Sequence, residues 1–320
     1  MNQSFFHLSR GICKGSANGP LTFSLYINDI SETLDVAFIM YTDDIVIYCH
    51  GETMFEIIKT LKAEMLKIKD WCVRNHMSIN YFKKNFMLFH KKRDNTLNNE
   101  PCIEEISMGN ETIERVYEYK YLGVIFDPYL SFSLHYQHVM KVSQRLSYLR
   151  GFKRYFNSRI LITMVNAHLH SIKDYALDIW AVQSDLMLHA LQLKIDRFLC
   201  EFEYPTLSRS RKALSSVDLL EVRIKYDFCC LTQRRDNLLL NTVYNNYFDN
   251  LLDLSTRVSS RKITLIKVQF FNSETFRRSL DNRMVNLWNR LTKDIDIDNI
   301  GLAKFHKETE SVIECKLCKI

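Results

Sequence analysis

The chain has 320 residues, of which 47% are hydrophobic and 25% charged, with only 8 glycines and 4 prolines. This composition can bury a sizeable core, and it excludes a disordered or low-complexity protein. No apolar run approaches the ~20 residues that a membrane span requires, and the first residues lack the layout of a secretion signal. We therefore expect an intracellular protein, nuclear or cytoplasmic, with no membrane partner.

The charge is unevenly distributed. Residues 1–128 hold 14 Lys/Arg against 17 Asp/Glu, a net of −3, so the remainder of the formal charge of +6 is a net of +9 on residues 129–320. A basic second half would suit a surface that contacts phosphates, although a solvated charged face gives the same count.

The cysteines indicate a reducing compartment. There are 9 of them, an odd number without the spacing of a disulfide framework, so most are expected to be free thiols. Cys315 and Cys318 have the spacing of half a zinc site, but a tetrahedral site needs two more ligands and only His306 lies near. A disordered tail is the preferred interpretation, and metal binding there stays open.

The first predicted element is a hairpin with carboxylates at its tip. Two short runs rich in β-branched and aromatic residues, 36–41 and 45–49, flank the three polar residues Thr42, Asp43 and Asp44. An amphipathic helix is predicted over 53–71 and a strand over 85–90, and two further strands are expected within 103–126.

Helical periodicity replaces the strand pattern after Asp127 and Pro128. It dominates from Ser133 to about Phe202, where Val139, Val142, Leu146 and Leu149 mark the apolar, inward face of the first helical stretch. The rest, from about Tyr204, is mostly helical by composition. We predict domains at 1–128, 129–203 and 204–320, the last a helical extension of unknown role.

Adjacent carboxylates between apolar strands need a physical reason because like charges repel. A bound Mg²⁺ is one such reason, since it takes oxygen ligands from one or two carboxylates together with substrate phosphates. The alternative is an ordinary polar turn, in which Asp is common.

Several motifs follow one another along nearly the whole chain, at residues 11–30, 41–44, 75–83, 119–127, 173–175 with Trp180, and 276–278 with 285–289. In this order they resemble the motifs of the reverse transcriptases of non-long-terminal-repeat retrotransposons, in which the first is a glycine loop with a palm helix and the second the polymerase signature. The resemblance implies an α/β (α+β) polymerase palm with an antiparallel sheet, followed by an all-α thumb.

The same resemblance implies roles for single residues. Asp43 would be a direct metal ligand and Asp44 a supporting carboxylate of a two-metal Mg²⁺ site. Further implied contacts are with the nucleotide or template (Gly15, Lys14 and Lys83) and with the primer end (Tyr121, Leu122 and Gly123).

A basic helical region follows the predicted palm. The thumb of the family packs on the nucleic-acid backbone, which implies contacts for Lys141, Arg145, Arg150, Lys153 and Arg154. Aromatic residues at 148, 152, 155 and 156 are interleaved with these cations and would suit stacking or packing. The alternative is an amphipathic helix with a solvated face.

Two departures from the family bear on activity. Only ten residues precede Gly11, so by the resemblance we expect this chain to lack the preceding strand that carries the family's third Asp, and with it the fingers. Lys14 stands where the family has Gln, and Thr42 replaces a small apolar residue, a change expected to do little harm at a strand end.

The expected function is RNA-directed DNA synthesis from deoxynucleoside triphosphates on an RNA template and DNA primer, by a chain that is inactive alone. The alternatives are a catalytically dead nucleic-acid-binding protein and an inert truncated fragment.

Overall fold

The computed structural model describes residues 15–80, 83–90, 105–108, 111–142, 145–181, 185–203, 219–226, 230–248, 256–258, 264–266, 280–291 and 305. The chain divides into two compact units, Met1–Tyr117 and Glu118–Ile320. The three-domain division expected from the sequence, at 1–128, 129–203 and 204–320, stays a prediction.

The first unit combines two helices with short strands. Its described elements are α1 (Gly19–Ile27), a 3-10 turn (Asn28–Thr33), β1 (Ala37–Tyr41), β2 (Asp44–Tyr48), α2 (Met54–Arg74), β3 (Asn85–Phe86), β4 (Glu105–Met108) and β5 (Glu111–Arg115). Pro20 lies in the first turn of α1, where its missing N–H costs no helical hydrogen bond.

The amphipathic helix predicted over 53–71 is confirmed as α2. Thr53 caps it by accepting a hydrogen bond from the Glu56 backbone N–H, the first half of a capping box. His76, with φ of 52°, ends it in the left-handed conformation typical of a helix C-terminus. The inner face of α2 carries Ile68 and Trp71 into the core of this unit.

The strands of this unit form two small sheets. β1 pairs antiparallel with β2, whereas β5 pairs antiparallel with β4 and parallel with β3. The mixed helix-and-sheet class is confirmed, but the parallel pair departs from the purely antiparallel expectation. The strand predicted over 85–90 is wrong beyond Phe86, where ladder pairing with β5 stops.

The second unit is mainly helical after an initial hairpin. Its described elements are β6 (Tyr119–Tyr121), β7 (Val124–Phe126), α3 (Ser133–Val142), α4 (Arg145–Gly151), a 3-10 turn (Phe152–Arg154), α5 (Ser158–Val165), a π turn (Asn166–His170), α6 (Ser171–Lys173), α7 (Leu177–Trp180), α8 (Asp185–Glu203), α9 (Leu219–Lys225), α10 (Leu231–Phe248), β8 (Thr256–Val258), β9 (Thr264–Ile266) and α11 (Leu280–Leu291).

Buried apolar side chains of these helices form one core. The predicted inward positions of α3 and α4, Val139, Leu146 and Leu149, are each at most 2% exposed. The expectation that residues from Tyr204 onward are helical holds for α9 to α11, but the β8–β9 hairpin was missed because its strands are only three residues long. The tail with Cys315 and Cys318 lies outside the described residues.

Asp127, near the predicted domain boundary, anchors the turn between β7 and α3. Its buried carboxylate accepts backbone N–H bonds from Tyr129, Ser131 and Phe132 at 2.8–3.1 Å. The carboxylate therefore fixes the conformation of the turn that leads from β7 into α3, at the start of the helical region of the second unit.

Ion pairs with at least one buried partner also join the helices of the second unit. Asp196 of α8 pairs with Arg223 of α9 and accepts a bond from Gln192, while Arg235 of α10 contacts Asp185. Among the described residues, no helix combines the length and hydropathy that crossing a bilayer requires.

Candidate metal site and nucleic-acid interface

The β1–β2 hairpin places its two carboxylates side by side at an exposed tip. Tyr41 pairs directly with Asp44, so the connecting turn consists of only Thr42 and Asp43. All four of these side chains are exposed. The predicted hairpin is confirmed, but Asp44 is the first residue of β2 and not part of the turn.

Thr42 was expected at a strand end, but it lies in the turn between β1 and β2; that its replacement does little harm stays a prediction. Its φ is 53°, a left-handed conformation that a β-branched side chain rarely adopts. A turn of only two residues requires positive φ for the strands to keep their twist. The Thr42 hydroxyl donates to an Asp43 carboxylate oxygen at 2.9 Å, a short-range bond that fixes one side of the carboxylate.

The tip meets part of what a magnesium site requires. Two exposed carboxylates match the number of protein ligands that one Mg²⁺ takes when substrate phosphates and water complete its shell. Within the described ranges, however, no group of three or more His, Cys, Asp or Glu side chains is placed to hold a metal. The residues fit one weakly held ion and do not by themselves complete a two-metal site.

The structure describes two of the three residues predicted to contact the nucleotide or template, Gly15 and Lys83. Gly15 has a φ of 84° and no atom within 4 Å of where a Cβ would lie, so glycine is favoured by conformation and not by crowding. Lys14 lies outside the described residues. Lys83 is exposed, whereas its neighbour Lys84 is largely buried, and this burial lowers the pKa of Lys84.

The predicted primer-contact residues form the turn of the β6–β7 hairpin. Leu122 and Gly123 have φ of 44° and 86°, and Tyr121 pairs with Val124, as in a tight two-residue hairpin turn. The Tyr175 hydroxyl donates to the Leu122 carbonyl, and a Cβ at Gly123 would lie 3.0 Å from the Tyr175 ring. Two motifs noted separately in the sequence thus meet within the second unit.

The segment that carries Tyr175 is fixed to the helical core on both sides. Asp174 forms an ion pair with Arg234 of α10, and the Trp180 indole N–H donates to the Tyr175 carbonyl at 3.0 Å. Lys173 is 2% exposed, and burial lowers its pKa to about 7. The turn of the hairpin is therefore supported by a rigid part of the unit.

His135 of α3 joins the same hairpin from its other side. Its Nδ1 accepts the backbone N–H of Ile125 at 3.2 Å, which requires a neutral ring with its proton on Nε2. The ring is buried edge-on to Trp180. Burial, followed by the charges of His138 and Lys120, lowers the pKa of His135 to about 4.

The predicted backbone-contacting cations are spread over α3, α4 and the following turn. Lys141 and Arg154 are exposed, while the side chains of Arg145 and Lys153 lie outside the described part. Arg150 is tied to Glu201 of α8, with nitrogen–oxygen distances of 2.8–3.0 Å, and is thus partly neutralised.

One sequence signal in this region was missed. Residues 128–173 contain seven Lys/Arg and no Asp or Glu at all. The net charge of residues 129–320 averages this stretch with acidic residues further along the chain, so it does not reveal the stretch. A search for long segments without Asp or Glu would have revealed it. The segment spans α3 to α6, so its local charge is far more positive than that of the chain as a whole.

Comparison with known proteins supports the motif assignments that lie within residues 1–126. Residues 1–126 match the family model described as reverse transcriptase (RNA-dependent DNA polymerase). The resemblance to reverse transcriptases is confirmed. A curated relative, the RNA-directed DNA polymerase from mobile element jockey of Drosophila funebris, is 26% identical over 136 residues.

That match covers 40% of this chain and 14% of the jockey polymerase, so the chain spans only a small part of its reverse transcriptase relative. No solved structure matches the chain. The matched region of the family model includes the carboxylate tip and the β6–β7 hairpin, and it ends before α3.

Proposed function

We propose that this chain is the palm-and-thumb portion of a non-long-terminal-repeat RNA-directed DNA polymerase, and that it is inactive alone. The observation that carries the proposal is the exposed pair Asp43 and Asp44 at a tight hairpin tip, within the segment that matches the reverse transcriptase family. Its substrates would be deoxynucleoside triphosphates, an RNA template and a DNA primer.

In this proposal Asp43 and Asp44 hold Mg²⁺, which when bound supplies charge stabilisation for nucleotidyl transfer. The hairpin fixes the positions of both carboxylates. Strand pairing with Tyr41 fixes the backbone of Asp44, and a hydrogen bond from the Thr42 hydroxyl holds the Asp43 carboxylate. Lys83, exposed on the same unit, would contact a triphosphate. Leu122 and Gly123 would contact the primer end through the turn that Tyr175 supports.

Inactivity follows from the number of carboxylates. Two metals need a ligand that bridges them, and the described residues bring no third acidic or metal-binding side chain to the tip. The missing oxygen ligands would have to come from outside the described part of the chain.

A second candidate function is nucleic-acid binding without catalysis. The stretch without carboxylates at 128–173 favours it, because its exposed basic side chains, among them Lys141, Arg154 and Arg159, have no acidic residue within ten positions in sequence. This function requires neither Asp43 nor Asp44.

Primer extension on an RNA template with Mg²⁺ tests the proposal. The full chain is expected to give no product, because its metal site is incomplete. Product that disappears in Asp43→Asn would show a working polymerase and would overturn the claim of inactivity. Asp29→Asn, an exposed carboxylate on the same unit, is the matched control.

A further inference from the structure

Four aromatic side chains form a partly exposed patch after α3. This aromatic patch consists of Tyr148, Phe152, Tyr155 and Phe156. Tyr148 is 70% exposed, Tyr155 79% and Phe156 39%. The Phe152 ring lies 5.1 Å from that of Tyr148 and 6.0 Å from that of Phe156, so at least three of the rings are contiguous.

Such exposure is costly for large rings, and a cluster of them commonly marks an interaction surface. The spacing of the rings along the chain is regular. Tyr148, Phe152 and Phe156 follow one another at four-residue steps, which keeps them on one side of the α4 helix and the turn after it.

The charge around the patch identifies the kind of partner. Arg154 and Arg159 are exposed and next to the patch in sequence, and no Asp or Glu occurs between residues 128 and 173. Arg150 is the exception among the neighbouring arginines, because Glu201 pairs with it. Exposed cations close in sequence to exposed rings complement a partner that presents both phosphates and flat apolar faces.

Single-stranded nucleic acid is that partner, because its unpaired bases can stack on aromatic rings while its phosphates meet arginine. In a duplex the base faces are already stacked on one another, so they are not available to aromatic rings of the protein. We infer that the aromatic patch stacks the bases of single-stranded nucleic acid, while Arg154 and Arg159 contact its phosphates.

The inference rests on the proposed function for its substrate class, since it specifies which form of nucleic acid this part of the chain holds. It is independent of the carboxylate tip. Binding can therefore be measured without divalent metal, so that failure of the metal site and failure of the stacking surface give different results.

The experiment is a fluorescence anisotropy titration of the full chain with three labelled probes. These are an oligothymidylate of about 20 nucleotides, an abasic strand of the same length and a duplex of the same length. The abasic strand keeps the phosphates and removes the bases. We expect the oligothymidylate to bind at least about tenfold more tightly than the abasic strand.

The variant that tests stacking is the double substitution Tyr148→Leu with Tyr155→Leu. Both side chains are mostly exposed, so the fold is expected to persist, and circular dichroism checks this. Affinity for the oligothymidylate should fall about tenfold or more, whereas affinity for the abasic strand should change less than about twofold. Tyr129→Leu, 43% exposed in the same unit, is the matched control and should leave both affinities unchanged.

The arginines are tested separately with the double substitution Arg154→Gln and Arg159→Gln. It should weaken all three probes and reduce the salt dependence of oligothymidylate binding by a slope of about 1.4, because two phosphate contacts are lost. Gln keeps a polar side chain of similar length without the charge.

Equal binding of the oligothymidylate and the abasic strand, or an unchanged affinity in the tyrosine double variant, would overturn the stacking inference. If the chain still bound the duplex in that case, the second candidate function, nucleic-acid binding through cations, would be retained and only the stacking inference would fail. If the chain bound none of the three probes, the inference would fail together with the nucleic-acid partner of the proposed function. Pull-down of a protein through the patch, without oligonucleotide binding, would also contradict the inference.

Discussion

Single residues set the geometry of the turns in the β1–β2 and β6–β7 hairpins. Thr42 and Leu122 adopt positive φ although neither is glycine, so the ladder pairing on either side holds them there. At Thr42 the strained position lies next to Asp43 and Asp44, the carboxylates that we propose as metal ligands. Backbone strain of this kind often occurs at functional turns.

His135 gives the second unit a pH dependence. Its pKa is lowered from 6.5 to about 4 because burial favours the neutral ring, which accepts the Ile125 N–H. The unfolded chain binds the proton more readily than the folded chain does. The stabilising effect is therefore complete above about pH 6.5 and is lost as the pH falls towards 4.

Urea denaturation between pH 7 and 4 measures this effect. We expect His135→Asn, whose amide can still accept from Ile125, to weaken the dependence of unfolding free energy on pH in that window. His138→Asn, which changes an exposed ring one helical turn away, should retain most of it. The same pH dependence in wild type and His135→Asn would contradict the assignment.

At the scale of elements, the β6–β7 hairpin is held at its turn by Tyr175. Gly123 is required there for two reasons: its φ is 86°, and a Cβ would lie 3.0 Å from the Tyr175 ring. The contact joins residues 53 positions apart in sequence and fixes the predicted primer-contact turn to the helical part of the unit.

Gly123→Ala is expected to lower the free energy of unfolding by about 2 kcal/mol, from left-handed strain and the clash with Tyr175. Denaturant titration measures it. Gly151→Ala is the matched control, since Gly151 has ordinary helical φ and nothing within 4 Å of the added Cβ. That control should be neutral or slightly stabilising. Equal effects of the two substitutions would show that Tyr175 does not restrict the turn.

The elements also show how far sequence patterns reach. The carboxylate hairpin, α2 and the inward positions of α3 and α4 were predicted because their apolar residues follow one clear period. The β8–β9 hairpin and the parallel β3–β5 pair were not, since strands of two or three residues carry no period. Contacts between distant segments, such as Tyr175 with Leu122, leave no local pattern at all.

At the scale of the molecule, the two units have different chemistry. The first holds the carboxylate tip and exposes large apolar side chains, including Leu25 at 72% and Phe55 at 77%. The second holds the stretch without carboxylates and the aromatic patch. Exposed apolar side chains of this size often mark surfaces that contact another molecule when they lie together in one patch.

The assignment of Asp43 and Asp44 as metal ligands is tested most directly by titrating the full chain with Mn²⁺, a paramagnetic stand-in for Mg²⁺, while recording backbone amide resonances. We predict selective broadening at Thr42 to Ile45, which is lost in the double substitution Asp43→Asn with Asp44→Asn and kept in Asp29→Asn. Broadening that is spread over the exposed carboxylates of the chain, or that survives the double substitution, would show that the tip is an ordinary polar turn and contradict the proposed metal site.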